Sequence, residues 1–327
     1  TASYWGTSMN ARKLWIALIL VMLGSFGVLG YYGVEIYRQA PPVPKQVITD
    51  DGRLLFRGED IKNGQNVWQS IGGQEVGSIW GHGSYVAPDW TADWVHREAV
   101  FLLNQWAQRE YGRRFDILNE EQKAALQARL SSKIRTNTYN PTTGDLIISL
   151  DRAVAIDSVS RHYTALFTND AALHDLREAY AIPANTVRDP ERMRLMNTFF
   201  FWAAWSCVTN RLGENITYTN NWPPDELVGN TPTGSLLLWT GFSVILLLAG
   251  IGILAWYYAI NHEDEPDPAS LPQGDPLLGL QPSASMRATV KYFWVVTALM
   301  VVQVILGAVT AHYGVEGTAF YGIPLAE

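Results

Sequence analysis

Residues 72–90 read GGQEVGSIWGHGSYVAPDW. Five glycines in the first twelve positions, Gly72, Gly73, Gly77, Gly81 and Gly83, make this a loop in which backbone approaches something closely. No strand–glycine–helix arrangement surrounds them, so a nucleotide-binding loop is excluded on pattern. His82 stands alone in the loop, and a single histidine without partner ligands reads as an ordinary loop residue rather than a metal site. The loop therefore needs the rest of the chain to explain it.

Outward from this loop the sequence divides sharply. Three uncharged stretches, Leu14–Val34, Ser235–Ile260 and Tyr292–Ala311, are each long enough to cross about 30 Å of hydrocarbon at about 1.5 Å per residue. Trp15, Tyr31, Tyr32, Trp239, Trp256, Tyr257, Tyr292 and Trp294 gather at their ends, as interfacial aromatics do. A short cleaved signal would end in a small-x-small site. The first stretch instead runs on towards Pro41-Pro42-Val43-Pro44, so a retained anchor is expected. Arg12 and Lys13 before the first span, with Arg287 and Lys291 before the third, put the N-terminus and the 262–290 segment on the cytoplasmic side. The intervening domain then lies outside. The expected division is an anchor at 1–37, an outer domain at 38–232, a second span at 233–261, a connector at 262–290 and a third span with its outer end at 291–327.

Composition narrows the function classes. A net charge of −7 gives no reason to expect nucleic acid as a partner. The single cysteine, Cys207, excludes an intrachain disulfide and any paired-cysteine zinc or redox site. Residues 262–276, HEDEPDPASLPQGDP, hold five carboxylates and four prolines, a composition that cannot bury a core.

The outer domain patterns as mainly helical. Val95, Ala99, Leu102 and Trp106 form a stripe at helical spacing. Asn119 and Gln122 match a capping box ahead of an inner face at Leu126, Leu130 and Ile134. Asp51-Gly52 turns a hairpin between Val47-Ile48 and Leu54-Leu55-Phe56, and 140–144 turns a second one into Leu146-Ile147-Ile148. Phe199–Trp205 is too short to span a bilayer and reads as a core helix. The fold class is thus an integral membrane, mainly α protein with three spans and short β-hairpins in its outer domain.

Within that organisation the glycine-rich loop becomes specific. The run 64–90, GQNVWQSIGGQEVGSIWGHGSYVAPDW, resembles the start of the cytochrome c component of bacterial two-subunit nitric oxide reductases. There a G-x-x-V-W-Q lead precedes C-x-x-C-H and then G-x-G-A-Y-F-A-P. Counted from Trp68-Gln69, the two haem-bearing cysteines fall on Gly73 and Val76 and the haem histidine on Gly77. With YTNNWP at 218–223 and TAHYGVEGTAFYG at 310–322, the chain resembles the single-chain, quinol-dependent nitric oxide reductases of the haem–copper oxidase superfamily. Their cytochrome c-like domain carries no haem.

That resemblance implies the reaction 2 NO + 2 e⁻ + 2 H⁺ → N₂O + H₂O in a bacterial inner membrane, with the outer domain periplasmic. It implies haem b, haem b₃ and a non-haem iron, whose ligands are expected beyond Glu327, and no haem c. The chain then reads as the N-terminal part of a longer polypeptide. Nitric oxide, a membrane quinol and lipid are the implied partners, and a homodimer is compatible with it. His312, Glu316 and Phe320 are the implied quinol pocket. From spacing alone His312 and Glu316 read as an interfacial histidine and a solvated carboxylate. Gly83 and Tyr85 are implied calcium ligands through backbone oxygens. Two readings of other classes are a membrane-anchored sensor, for which the cytoplasmic segments offer no output module, and a non-catalytic quinol-binding or assembly subunit.

Overall fold

The computed structural model describes residues 11–73, 77–84, 86–261, 284–313, 319–320 and 323–324. The chain divides into two compact units, Thr1–Val43 and Pro44–Glu327. The first holds one helix, α1 (Ala11–Gln39). The second holds everything else, beginning with strands β1 (Gln46–Thr49) and β2 (Leu54–Arg57) and helix α2 (Gly58–Ser70). Helices α3 (Trp90–Tyr111) and α4 (Glu120–Arg135), strand β3 (Asp145–Ile148), and helices α5 (Leu150–Phe167), α6 (His174–Ala179) and α7 (Pro190–Val208) follow. Two long apolar helices, α8 (Gly234–Asn261) and α9 (Ala284–Tyr313), come next, and the two-residue strands β4 (Ala319–Phe320) and β5 (Ile323–Pro324) pair last.

Helices α1, α8 and α9 contain segments long and apolar enough to cross a membrane: Ile19–Gln39, Gly234–Ile260 and Thr289–Leu306. Their leucines, isoleucines and tryptophans are exposed, Leu238 at 66% and Trp256 at 64% among them. Such surface is stable only against lipid or further protein, and helices of this length and composition point to association with a membrane. In α8, Thr233 caps the first turn, its hydroxyl accepting from the Leu236 N–H at 3.3 Å. The 262–276 run falls outside the described residues.

The centre of the second unit is α7. It packs against α2, α3, α4 and α5, which explains why Phe199–Val208 is apolar all round: every face has a partner. The expected stripe on α3 is buried, with Val95, Ala99, Leu102 and Trp106 between 0% and 3% exposed. The capping box of α4 closes in both directions, Gln122 N–H to Asn119 Oδ1 at 2.9 Å and Asn119 N–H to Gln122 Oε1 at 3.3 Å. Leu126, Leu130 and Ile134 are buried beneath it. Between α3 and α5 the core holds one ion pair, Arg152 Nε to Glu98 Oε1 at 2.5 Å, with the guanidinium over the Phe201 ring.

The small sheet runs β2-β1-β3. β1 and β2 form the expected hairpin, with Val47 opposite Phe56. The second hairpin forms as well. The 140–144 turn closes, Gly144 N–H to Asn140 O at 2.8 Å, and the arm before it pairs antiparallel with β3 at Tyr139–Leu146, with Asn140 N–H to Asp145 O at 2.9 Å and Ile147 N–H to Thr138 O at 3.5 Å. β3 also pairs in parallel with β1, setting Leu146 beside Val47, a partner the sequence did not indicate. Val47, Phe56 and Leu146 are all buried, which favours that pairing.

Candidate functional site: the loop between α2 and α3

The glycine-rich loop begins where α2 ends at Ser70 and stops at Asp89, the N-cap of α3. Its two halves are built differently. In the first half, space is the organising fact. A β-carbon placed on Gly73 would fall on the indole of Trp68, and one placed on Gly77 would fall on the indole of Trp90. Trp90 is fully buried and surrounded by Tyr163, Phe167, Tyr180 and Phe200, with ring centroids between 5.5 and 6.1 Å. Trp68 packs on Phe199 at 5.8 Å. The indole N–H groups of Trp68 and Trp90 have no hydrogen-bond partner among the described residues. These rings are there to fill volume.

In the second half, hydrogen bonds are the organising fact. Asp89 is 6% exposed and its carboxylate accepts from five donors. Oδ2 takes the Ser78 hydroxyl at 2.6 Å and the Gly81 N–H at 2.7 Å. Oδ1 takes the N–H groups of Thr91 and Ala92, each at 3.0 Å, and the Thr91 hydroxyl. Ser78 Oγ in turn accepts from the Gly83 N–H at 2.7 Å, and Thr91 Oγ1 from the Trp80 N–H at 3.2 Å. One carboxylate thus joins the loop to the first turn of α3. Gly83 sits at φ +84°, and a side chain there would press on Ala87 O and Asp89 N.

A second loop closes against the first. Trp222, within the YTNNWP run, donates its indole N–H to Gly81 O at 2.9 Å, and its ring meets exposed His82 at 4.6 Å. Asn220 and Asn221 both have positive φ. Two successive left-handed residues are unfavourable for L side chains and need support from outside. Arg135 of α4 supplies it, its guanidinium donating to the side-chain oxygens of Asn210, Asn221 and Asn230 at 2.9 to 3.1 Å. No carboxylate among the described residues pairs with this arginine, and burial lowers its pKa. Asn230, itself buried, donates to Cys207 O at 3.1 Å and Pro223 O at 2.6 Å, four residues before α8 begins. The Cys207 thiol is fully buried, and that burial pushes its pKa far up, which disfavours the reactive thiolate.

The family model for the NorB cytochrome c-like domain of nitric oxide reductase matches residues 44–224, more than half of the chain, including all of the first loop and the YTNNWP run of the second. The chain belongs to the NorB family of nitric oxide reductases. A comparison with curated proteins finds no match. Within this NorB domain the structure puts Gly73 and Gly77 against tryptophans and Gly83 at a left-handed turn. His312 falls in the last turn of α9 and Phe320 in β4. Glu316, Tyr85 and Val76 lie outside the described residues, as do the side chains of His312 and Phe320. Among the described residues no group of three or more His, Cys, Asp or Glu side chains could hold a metal. Asp89, Trp222 and Arg135 did not stand out in sequence. Asp89 followed by Trp-Thr-Ala carries an N-cap signal that could have been read, but the partners of Trp222 and Arg135 are some 75 to 141 residues distant.

Proposed function

We propose that the chain is the N-terminal part of a quinol-dependent nitric oxide reductase, with residues 38–232 as its periplasmic domain and α1, α8 and α9 in the bacterial inner membrane. The observation that carries the quinol reading is the filled haem site. Covalent haem c needs two thiols and an axial imidazole. At the positions the family resemblance assigns to them stand Gly73, Val76 and Gly77, and Trp68 and Trp90 occupy the space beside the two glycines. The residues present do not fit that haem. A domain without haem c offers electrons no stepping stone, so the donor must reach the membrane part directly, as a lipid-soluble quinol does.

His312, Glu316 and Phe320 are the residues proposed to meet it. A quinol releases two protons as it gives up two electrons. An imidazole and a carboxylate at its hydroxyls accept them, while an aromatic ring packs on the quinol ring. Haem b, haem b₃ and a non-haem iron would supply the reduction of nitric oxide itself, on ligands other than these residues. Gly83 and Tyr85 are proposed to offer backbone oxygens to a calcium ion, a hard cation that accepts such ligands. The geometry favours this at Gly83. Its neighbouring Ser84 N–H turns inward to Ala87 O at 2.9 Å, and across a trans peptide the Gly83 carbonyl then faces the other way.

The test is His312→Ala in the full-length enzyme, with nitric oxide consumption driven by quinol and, separately, by an artificial reductant. Quinol-driven turnover should fall by roughly 100-fold, with b-haem content and reductant-driven turnover unchanged. Unaltered quinol-driven turnover removes the assignment.

A further inference from the structure

We propose that His96 and Asp225 form a proton-sensitive latch, which grips the turn leading into α8 more firmly when His96 carries its charge.

The turn at 225–230 is closed on itself. Asp225 and Asn230 exchange backbone N–H to O bonds at 3.0 and 2.9 Å. Asp225 Oδ1 takes the N–H groups of Leu227 and Val228 at 2.9 and 3.2 Å. Asn230 stands four residues before the start of α8. Two basic side chains reach this turn from different helices. Arg135 of α4 donates to Gly229 O at 3.3 Å and to Asn230 Oδ1 at 3.1 Å. His96 of α3 meets the other carboxylate oxygen, Nδ1 to Asp225 Oδ2 at 3.2 Å.

The two grips differ in kind. A guanidinium keeps its charge throughout the physiological range, whereas an imidazole exchanges its proton between about pH 5 and 8. The Asp225 side chain is only 10% exposed, so little water competes for Oδ2, while His96 is 60% exposed and open to solvent protons. With His96 protonated the contact is a charge-assisted hydrogen bond, about twice as strong as the neutral one left when the proton is gone. The turn is therefore held more tightly at acidic pH and loosens as pH rises.

The charges nearby are engaged elsewhere or face solvent. On α3, Asp93 pairs with Arg97 at 2.6 Å, and Glu98 turns into the core onto Arg152. On the turn itself Glu226 is exposed, and on α4 the Arg135 guanidinium is on the oxygens of Gly229 and Asn230. His82 of the first loop lies against Trp222. Among the described residues Asp225 is the one ion-pair partner of His96.

The experiment uses the full chain in detergent. Hydrogen exchange of the Leu227 and Val228 amides is read at about pH 5.5 and about pH 8, on either side of histidine titration, and corrected for the intrinsic rate. Wild-type protection should fall by about two- to five-fold between the two, the range of a partly exposed ion pair. His96→Gln keeps a hydrogen-bonding group without the charge and should show no fall. Asp225→Asn keeps the side-chain acceptor of the turn and should show none either. Wild-type protection that does not change with pH overturns the latch. So does a fall that His96→Gln retains, since it then belongs to another group.

Discussion

The two halves of the 71–89 loop lie next to each other in sequence and are held by opposite means. Around Gly73 and Gly77 the chain is fixed by volume: buried indoles press on bare backbone and leave their N–H groups without partners among the described residues. From Ser78 to Asp89 it is fixed by direction, with the N–H groups of Gly81 and Gly83 each aimed at an acceptor. A stretch held by volume accepts any apolar surface of the right size. A stretch held by direction does not, because each donor needs its acceptor at the right angle.

That contrast can be broken at three points. The largest effect should come from Trp90→Ala, which removes the ring filling the space beside Gly77. A fully buried aromatic truncated to alanine costs about 3–5 kcal/mol, read as a lower midpoint in chemical denaturation of the domain. Gly77→Ala attacks the same packing from the other side. Its methyl must displace the Trp90 indole, an overpacking that costs about 1–3 kcal/mol. If the first half were held by hydrogen bonds instead, Gly77→Ala would be nearly neutral. The smallest effect should come from Trp222→Phe. It keeps an aromatic ring against His82 but loses the bond to Gly81 O, worth about 0.5–1.5 kcal/mol. Its expected signature is faster amide exchange confined to 78–88 and 217–223, with the aromatic core around Trp90 unmoved.

How much of this was legible in the sequence follows the range of each interaction. Stripes at helical spacing such as Val95–Trp106 and the Asn119–Gln122 box are local, and they appear where periodicity put them. The three long apolar helices are read from length and composition alone. β3 has two partners, and one of them was legible: the hairpin arm at Tyr139 pairs with it as expected. The other, β1, lies about a hundred residues earlier and left no local signal, although it brings Leu146 beside Val47. For the candidate site, the resemblance marked Gly73, Val76 and Gly77, but nothing in the sequence indicated what packs against the two glycines. Trp68 and Trp90 flank the loop in sequence, yet nothing in their spacing says that both indoles turn inward onto glycines. The proposed quinol residues rest on resemblance alone, since a histidine and a carboxylate past a helix end have no distinctive pattern of their own.

Arg135 gives the region between α3 and α7 a purpose that its sequence did not announce. It stands on α4, yet its bonds fix Asn210, Asn221 and Asn230, the stretch that delivers the chain to α8. During synthesis α4 leaves the ribosome some 75 to 95 residues ahead of these partners. The guanidinium is therefore synthesised before the asparagines it binds, and the connection into the second apolar helix is held by a helix that precedes it in the chain. A helix well before the second apolar span would then fix the stretch of chain that leads into it.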